Sequence, residues 1–96
     1  MANKRLKAAF LEIVDNQLRD GDPPETRQTY ERLLAEGHSD EDARLLIGNL
    51  LVHEIYDMLK RRRTFDQAGF VANLARLPQL PDETPVKAGK FERKNR

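Results

Sequence analysis

Any chemistry in this chain has to come from histidines, carboxylates and cations, because its 96 residues include no cysteine. There are two histidines. His53 stands one helical turn before Asp57, a spacing that could offer two ligands to a metal ion, whereas tight zinc sites use three or four. No third ligand is marked in the sequence, so no metal is expected and His53 reads as a hydrogen-bonded, partly buried ring. His38 falls in a corner beside Gly37, where a solvated or capping role suffices. Glu12 with Asp15 and Glu54 with Asp57 also sit at helical spacing. Carboxylate-bridged di-iron bundles need Glu-x-x-His pairs on facing helices, and that spacing is absent. Phosphate-cradling glycine loops, nucleophile elbows and Cys/His pairs are absent too. The sequence therefore gives no catalytic residue and no cofactor, and the chain is not expected to be an enzyme.

The sharpest charge run is Lys60, Arg61, Arg62 and Arg63, candidate contacts for an anionic partner. Lys90, Arg93, Lys94 and Arg96 would reinforce it. The net charge is only +1. Residues 78–96 hold five Lys/Arg against three Asp/Glu, so +2 lies there and 1 − 2 = −1 remains for the body. A nucleic-acid-binding core usually carries a larger positive excess. Phe91 alone is too little for a stacking platform. The corner at Gly37 could be taken for a helix-turn-helix, but the helix after it opens with Asp40, Glu41 and Asp42, the wrong sign for phosphates.

The elements that must position these side chains are helices, since the apolar residues recur at helical and not at strand spacing. A first helix is expected over 3–19, with Leu6, Phe10, Ile13, Val14 and Leu18 on one face and Gly21 ending it. Asp22, Pro23, Pro24 and Glu25 then read as a start signal, with Asp22 as cap and Pro23 in the first turn. That second helix should run to Glu36 on a narrow stripe of Tyr30, Leu33 and Leu34. Gly37 closes it, and Ser39 opens a third helix over 40–62 with three acids against the positive end of its dipole. On this longest helix Ile47, Gly48, Leu51, Val52, Ile55, Tyr56, Met58 and Leu59 form a broad apolar face. Gly48 marks a close helix approach. Leu46 and Leu50 project to another side beside Asn49 and His53. Thr64 to Gln67 has capping-box spacing for a short fourth helix carrying Phe70, Val71, Leu74 and Leu77, with Pro78 just beyond. The expectation is an all-α bundle of about four helices over residues 1–80 around one long central helix. A flexible basic tail is expected over 81–96.

The order and spacing of Val14-Asp15-Asn16-Gln17-Leu18, Asp22-Pro23-Pro24-Glu25-Thr26, Arg32-Leu33-Leu34-Ala35-Glu36-Gly37-His38-Ser39, Ala43, Ile47-Gly48 and Glu54-Ile55 resemble a small family of uncharacterised bacterial helical proteins. The resemblance covers about three quarters of the chain. It implies a compact helical bundle and no assigned activity. Histidines recur in those relatives on the first helix and near the start of the third, but the matching positions here are Leu11, Glu41 and Leu45. No metal or acid–base role therefore carries over.

Three short helices are expected to leave part of the central helix uncovered, and uncovered apolar surface is often a partner site. Leu46, Leu50 and His53 are the candidate partner surface. The expected function is a non-catalytic protein-interaction or accessory module, with a protein partner or a second copy in a homodimer. The alternative is weak nucleic-acid binding through residues 60–63 and the basic tail. The longest apolar runs, Leu45 to Ile47 and Leu50 to Val52, are far too short for a membrane span. With no signal-peptide pattern at the start, no membrane contact and a cytoplasmic location are expected.

Overall fold

The computed structural model describes residues 3–81, and the tail expected over 81–96 lies outside them beyond Pro81. Four helices follow in order: α1 (Asn3–Asp20), α2 (Pro24–Ala35), α3 (Asp40–Arg61) and α4 (Gln67–Arg76). No strand occurs among the described residues. The protein is an all-α bundle. α3 touches each of the other helices, α2 touches both α1 and α4, and α1 does not meet α4.

Local chemistry sets the helix ends. At the end of α2 the amide of His38 donates to the Leu33 carbonyl and that of Gly37 to Leu34, with Gly37 at φ 105°. That is the left-handed turn glycine adopts without steric cost. α3 starts as expected, Ser39 accepting from the Asp42 amide at 3.0 Å. The start of α2 differs from expectation. Its cap position is Pro23, with no side-chain cap, and Pro24 opens the helix. Two successive prolines remove two amide donors, and the Thr26 amide is taken by the Pro23 carbonyl. Little is then left for Asp22 to cap. The start of α4 is also shifted. Asp66, not Thr64, caps it, accepting from the Gly69 amide at 3.0 Å.

The core joins all four helices: Val14 from α1, Leu33 from α2, Ala43, Leu46, Ile47, Leu50 and Leu51 from α3, and Phe70, Leu74 and Leu77 from the α4 segment. α1 lies over the first half of α3. Arg44 clasps Asp15 with two hydrogen bonds of 2.9 Å, and Lys7 reaches Glu41 at 3.9 Å. Beneath α1 lies Gly48, where an added Cβ would sit 3.9 Å from both the Phe10 Cβ and Val14 Cγ2. The close approach expected at Gly48 is present, and it leaves room for one methyl group and little more. α4 is fastened to α2 by Arg32, which donates to the Leu74 and Leu77 carbonyls at 3.0 and 2.9 Å. The Leu74 carbonyl also accepts from the Leu77 amide at 3.2 Å, and Arg32 adds further bonds to the acceptors at this helix end.

Gly48→Ala should therefore stabilise the domain by up to about 1 kcal/mol, the helix-propensity gain with no clash to offset it. Gly48→Leu should lose on the order of 1–3 kcal/mol by forcing α1 away. Paired urea melts check both signs.

Candidate functional site

Leu46 is 0% exposed and Leu50 is 1% exposed. The expected partner surface of Leu46, Leu50 and His53 is thus overturned for its two leucines, which belong to the core with Leu33, Phe70 and Leu74. α2 and α4 close that side because they also pack on each other, so even a narrow stripe and a short helix suffice. His53 is half-buried. Its Nδ1 is enclosed without a hydrogen-bond partner among the described residues, as is Asn49 Oδ1 one turn earlier. The Asn49 amide donates to the Leu45 carbonyl of its own helix at 3.0 Å. Among the described residues no three His, Asp or Glu side chains group as metal ligands.

The basic run divides sharply. Arg63 is not a free surface cation. Its guanidinium donates to Glu54 at 2.7 and 3.1 Å, to Asp57 at 2.6 Å and to the Thr64 carbonyl at 2.7 Å. Glu54 is only 5% exposed and also accepts from the Asp66 amide at 2.7 Å. A carboxylate that is nearly buried needs such partners to offset its lost hydration. Arg63 is thereby committed to tying the last turns of α3 to the start of α4. Arg61 donates to the other Asp57 oxygen at 2.8 Å. The hydrogen bond from Arg63, and after it that from Arg61, lowers the Asp57 pKa, while the hydrogen bonds to Glu54 and then Asp57 raise that of Arg63. Lys60 and Arg62 remain exposed, with no ion pair among the described residues, and the Lys60 ammonium lies 5.8 Å from the Tyr56 ring centroid.

Arg62 also has an unusual backbone. It ends α3 in the left-handed conformation at φ 54°, and the Arg63 amide returns to the Met58 carbonyl. Gly21 and Gly37 do the same work at the ends of α1 and α2. A residue with a Cβ pays about 1–2 kcal/mol for that conformation. Arg62 is the only described non-glycine residue in it.

The free apolar surface lies elsewhere on α3. The named α1 contacts fall on Glu41, Arg44 and Gly48. Beyond them the same side of the helix emerges stepwise. Val52 and Ile55 are half-buried, Tyr56 is 49% exposed and Leu59 is 75% exposed. The broad face read from the sequence is real, but α1 covers only its first half. Phe65, against the edge of Phe70 at 5.6 Å, is exposed near the same end of the molecule. The signal for this site was available in the sequence as the length of the stripe, which outruns a single crossing helix. No described helix is long and apolar enough to cross a membrane. No protein-family model, curated protein or solved structure matches the chain.

Two experiments follow. Leu50→Glu should cost on the order of 3–5 kcal/mol by burying an unpaired carboxylate, whereas Leu59→Glu should leave the thermal midpoint within a few degrees. For pH, the folded Asp57 pKa lies below its unfolded value, so its contribution to stability is complete above about pH 4. It is lost as pH falls through the folded value, where the unfolded chain binds the proton more readily. Urea midpoints measured down the acid range should fall less steeply in Asp57→Asn than in the wild type.

Proposed function

We propose that this chain is a non-catalytic interaction or accessory module whose contact face is the outer end of α3, built on Ile55, Tyr56 and Leu59. The supporting observation is the continuation of a core-forming stripe past the helix that covers it. A leucine 75% exposed on a well-formed helix gains about 1–2 kcal/mol when a partner covers it, and Tyr56 adds a comparable area with a polar tip. The occupant is a protein. The cytoplasm suits a chain without cysteine, and the module takes its place beside the small bacterial helical proteins its motifs resemble, where no activity is implied.

Weak nucleic-acid binding through Lys60, Arg61, Arg62, Arg63 and the basic tail is the second reading. It is disfavoured because Arg63 and Arg61 are already held by Glu54 and Asp57. A photo-crosslinking side chain at Leu59 should capture one discrete protein in intact cells, while the same probe at the exposed Gln28 should not. Labelling that is equal at both positions would refute the contact face. Anisotropy of a labelled duplex would support the second reading if binding weakened steeply with salt.

A further inference from the structure

Building on the contact face at the end of α3, we infer that its partner is an acidic amphipathic helix of another protein. The apolar side of that helix lies on Ile55, Tyr56 and Leu59, and its carboxylates meet Lys60 and Arg62. The inference comes from the charges around the stripe. Lys60 and Arg62 are exposed and carry no ion pair among the described residues. Arg62 is the first residue past α3, three positions after Leu59, so it stands at the end of the helix where the stripe runs out. The acids of this end, Glu54 and Asp57, lie round the helix from Leu59 and are held by Arg63 and Arg61. An incoming carboxylate therefore finds two cations without an ion-pair partner among the described residues, and no unneutralised acid from this end of α3.

The other occupants fit less well. A second copy paired across a two-fold axis at this stripe would bring the unpaired Lys60 and Arg62 of both chains near one another. Residues 82–96 carry five Lys/Arg against three Asp/Glu and would likewise add positive charge. A nucleic-acid duplex would satisfy the cations but leave Leu59 uncovered. A partner helix with leucines three and four residues apart matches the spacing of Ile55, Tyr56 and Leu59, and flanking glutamates fall within reach of the cations.

Arg62 supplies the independent argument. Two helix ends in this molecule use glycine for the left-handed turn, and the third uses an arginine at φ 54°. Glycine there would relieve the fold, so the exposed guanidinium stands where stability alone would not place it. An outlier of this kind points to a contact outside the chain. Arg62→Gly should therefore raise the thermal midpoint and weaken the partner at the same time, a combination that a purely structural residue does not give.

The test titrates the isotope-labelled full chain with a synthetic amphipathic helical peptide that carries leucines on one face and glutamates along its flanks. A peptide with lysines in place of the glutamates is the control. The acidic peptide should shift amide signals over residues 52–63, weaken about threefold or more in Arg62→Gly, and weaken tenfold or more in Leu59→Glu. The lysine peptide should not bind. Equal binding of the two peptides would overturn the acidic partner and leave the contact face standing. Silence from both peptides would overturn both. A concentration-dependent dimer abolished by Leu59→Glu would put a second copy on the face. Contacts from Val86 or Phe91 to Leu59 in the free chain would put its own tail there. Stronger shifts at residues 60–62 with a DNA duplex would put nucleic acid there. Each of these three results overturns the inference.

Discussion

Leu46, Ile47, Leu50 and Leu51 point to successive sides of α3, and none is more than 2% exposed. At about 100° per residue these four span roughly 140° of the helix, too wide an arc to rest on a single neighbour, and each uncovered leucine forgoes about 1.5–3 kcal/mol of burial. That demand orders the rest of the molecule. α1 crosses above Gly48, α4 lies along another side, and α2 fills the interval by touching both neighbours of α3 as well as α3 itself. The caps and clasps then serve this wrapping. Asp15 and Arg44 hold α1 down, and Arg32 holds α4 to α2 through the carbonyls that end it.

The outer half of α3 is held differently. Past Leu51 the buried side chain is Glu54, and its carboxylate, not a leucine, meets the chain that turns toward α4. Arg63 and the Asp66 amide supply the hydrogen bonds that a nearly buried charge requires. Breaking such an arrangement on one side costs more than the pair itself contributes, since a lone buried charge remains. The latch thus fixes where α3 ends and where α4 begins. It also removes Arg63 from the surface and leaves the apolar stripe of Ile55 and Leu59 on the opposite flank unoccupied.

Much of the fold was legible because helix punctuation is local chemistry. Gly21, Gly37 and Ser39 each act through backbone groups within a few residues, and the stripe of α3 follows from its period. The partner surface was not legible in the same way. Choosing between Leu46/Leu50 and Ile55/Leu59 as the uncovered pair requires knowing where α1 crosses, and that depends on side chains far apart in sequence, such as Asp15 and Arg44. The apolar stripe of α2 is narrow, yet Thr26 and Thr29 are also buried, Thr26 donating its hydroxyl to Gln17 at 2.8 Å. A polar-looking helix therefore buries more of itself than its leucines suggest, with Thr26 held against α1. Arg63 was misplaced for a related reason. In a run of four cations nothing local marks the one that a carboxylate nine positions earlier will claim.

Asn49 and His53 show how close this small core comes to its limit. They lie one turn apart on α3, where a fully apolar pair is the simpler filling, and each keeps one enclosed polar atom without a hydrogen-bond partner among the described residues. An unsatisfied buried acceptor costs about 1–3 kcal/mol, a sizeable share of the stability of so short a chain. The first half of α3 carries enough leucine on its other sides to bear that cost. The outer half carries a buried carboxylate and an arginine in a glycine's conformation, with few apolar contacts to compensate. Stability is thus concentrated toward the N-terminal half of α3, and the polar, strained and exposed features gather toward the other end. Covering Leu59 from outside would stabilise the part of the helix that the chain's own packing supports least.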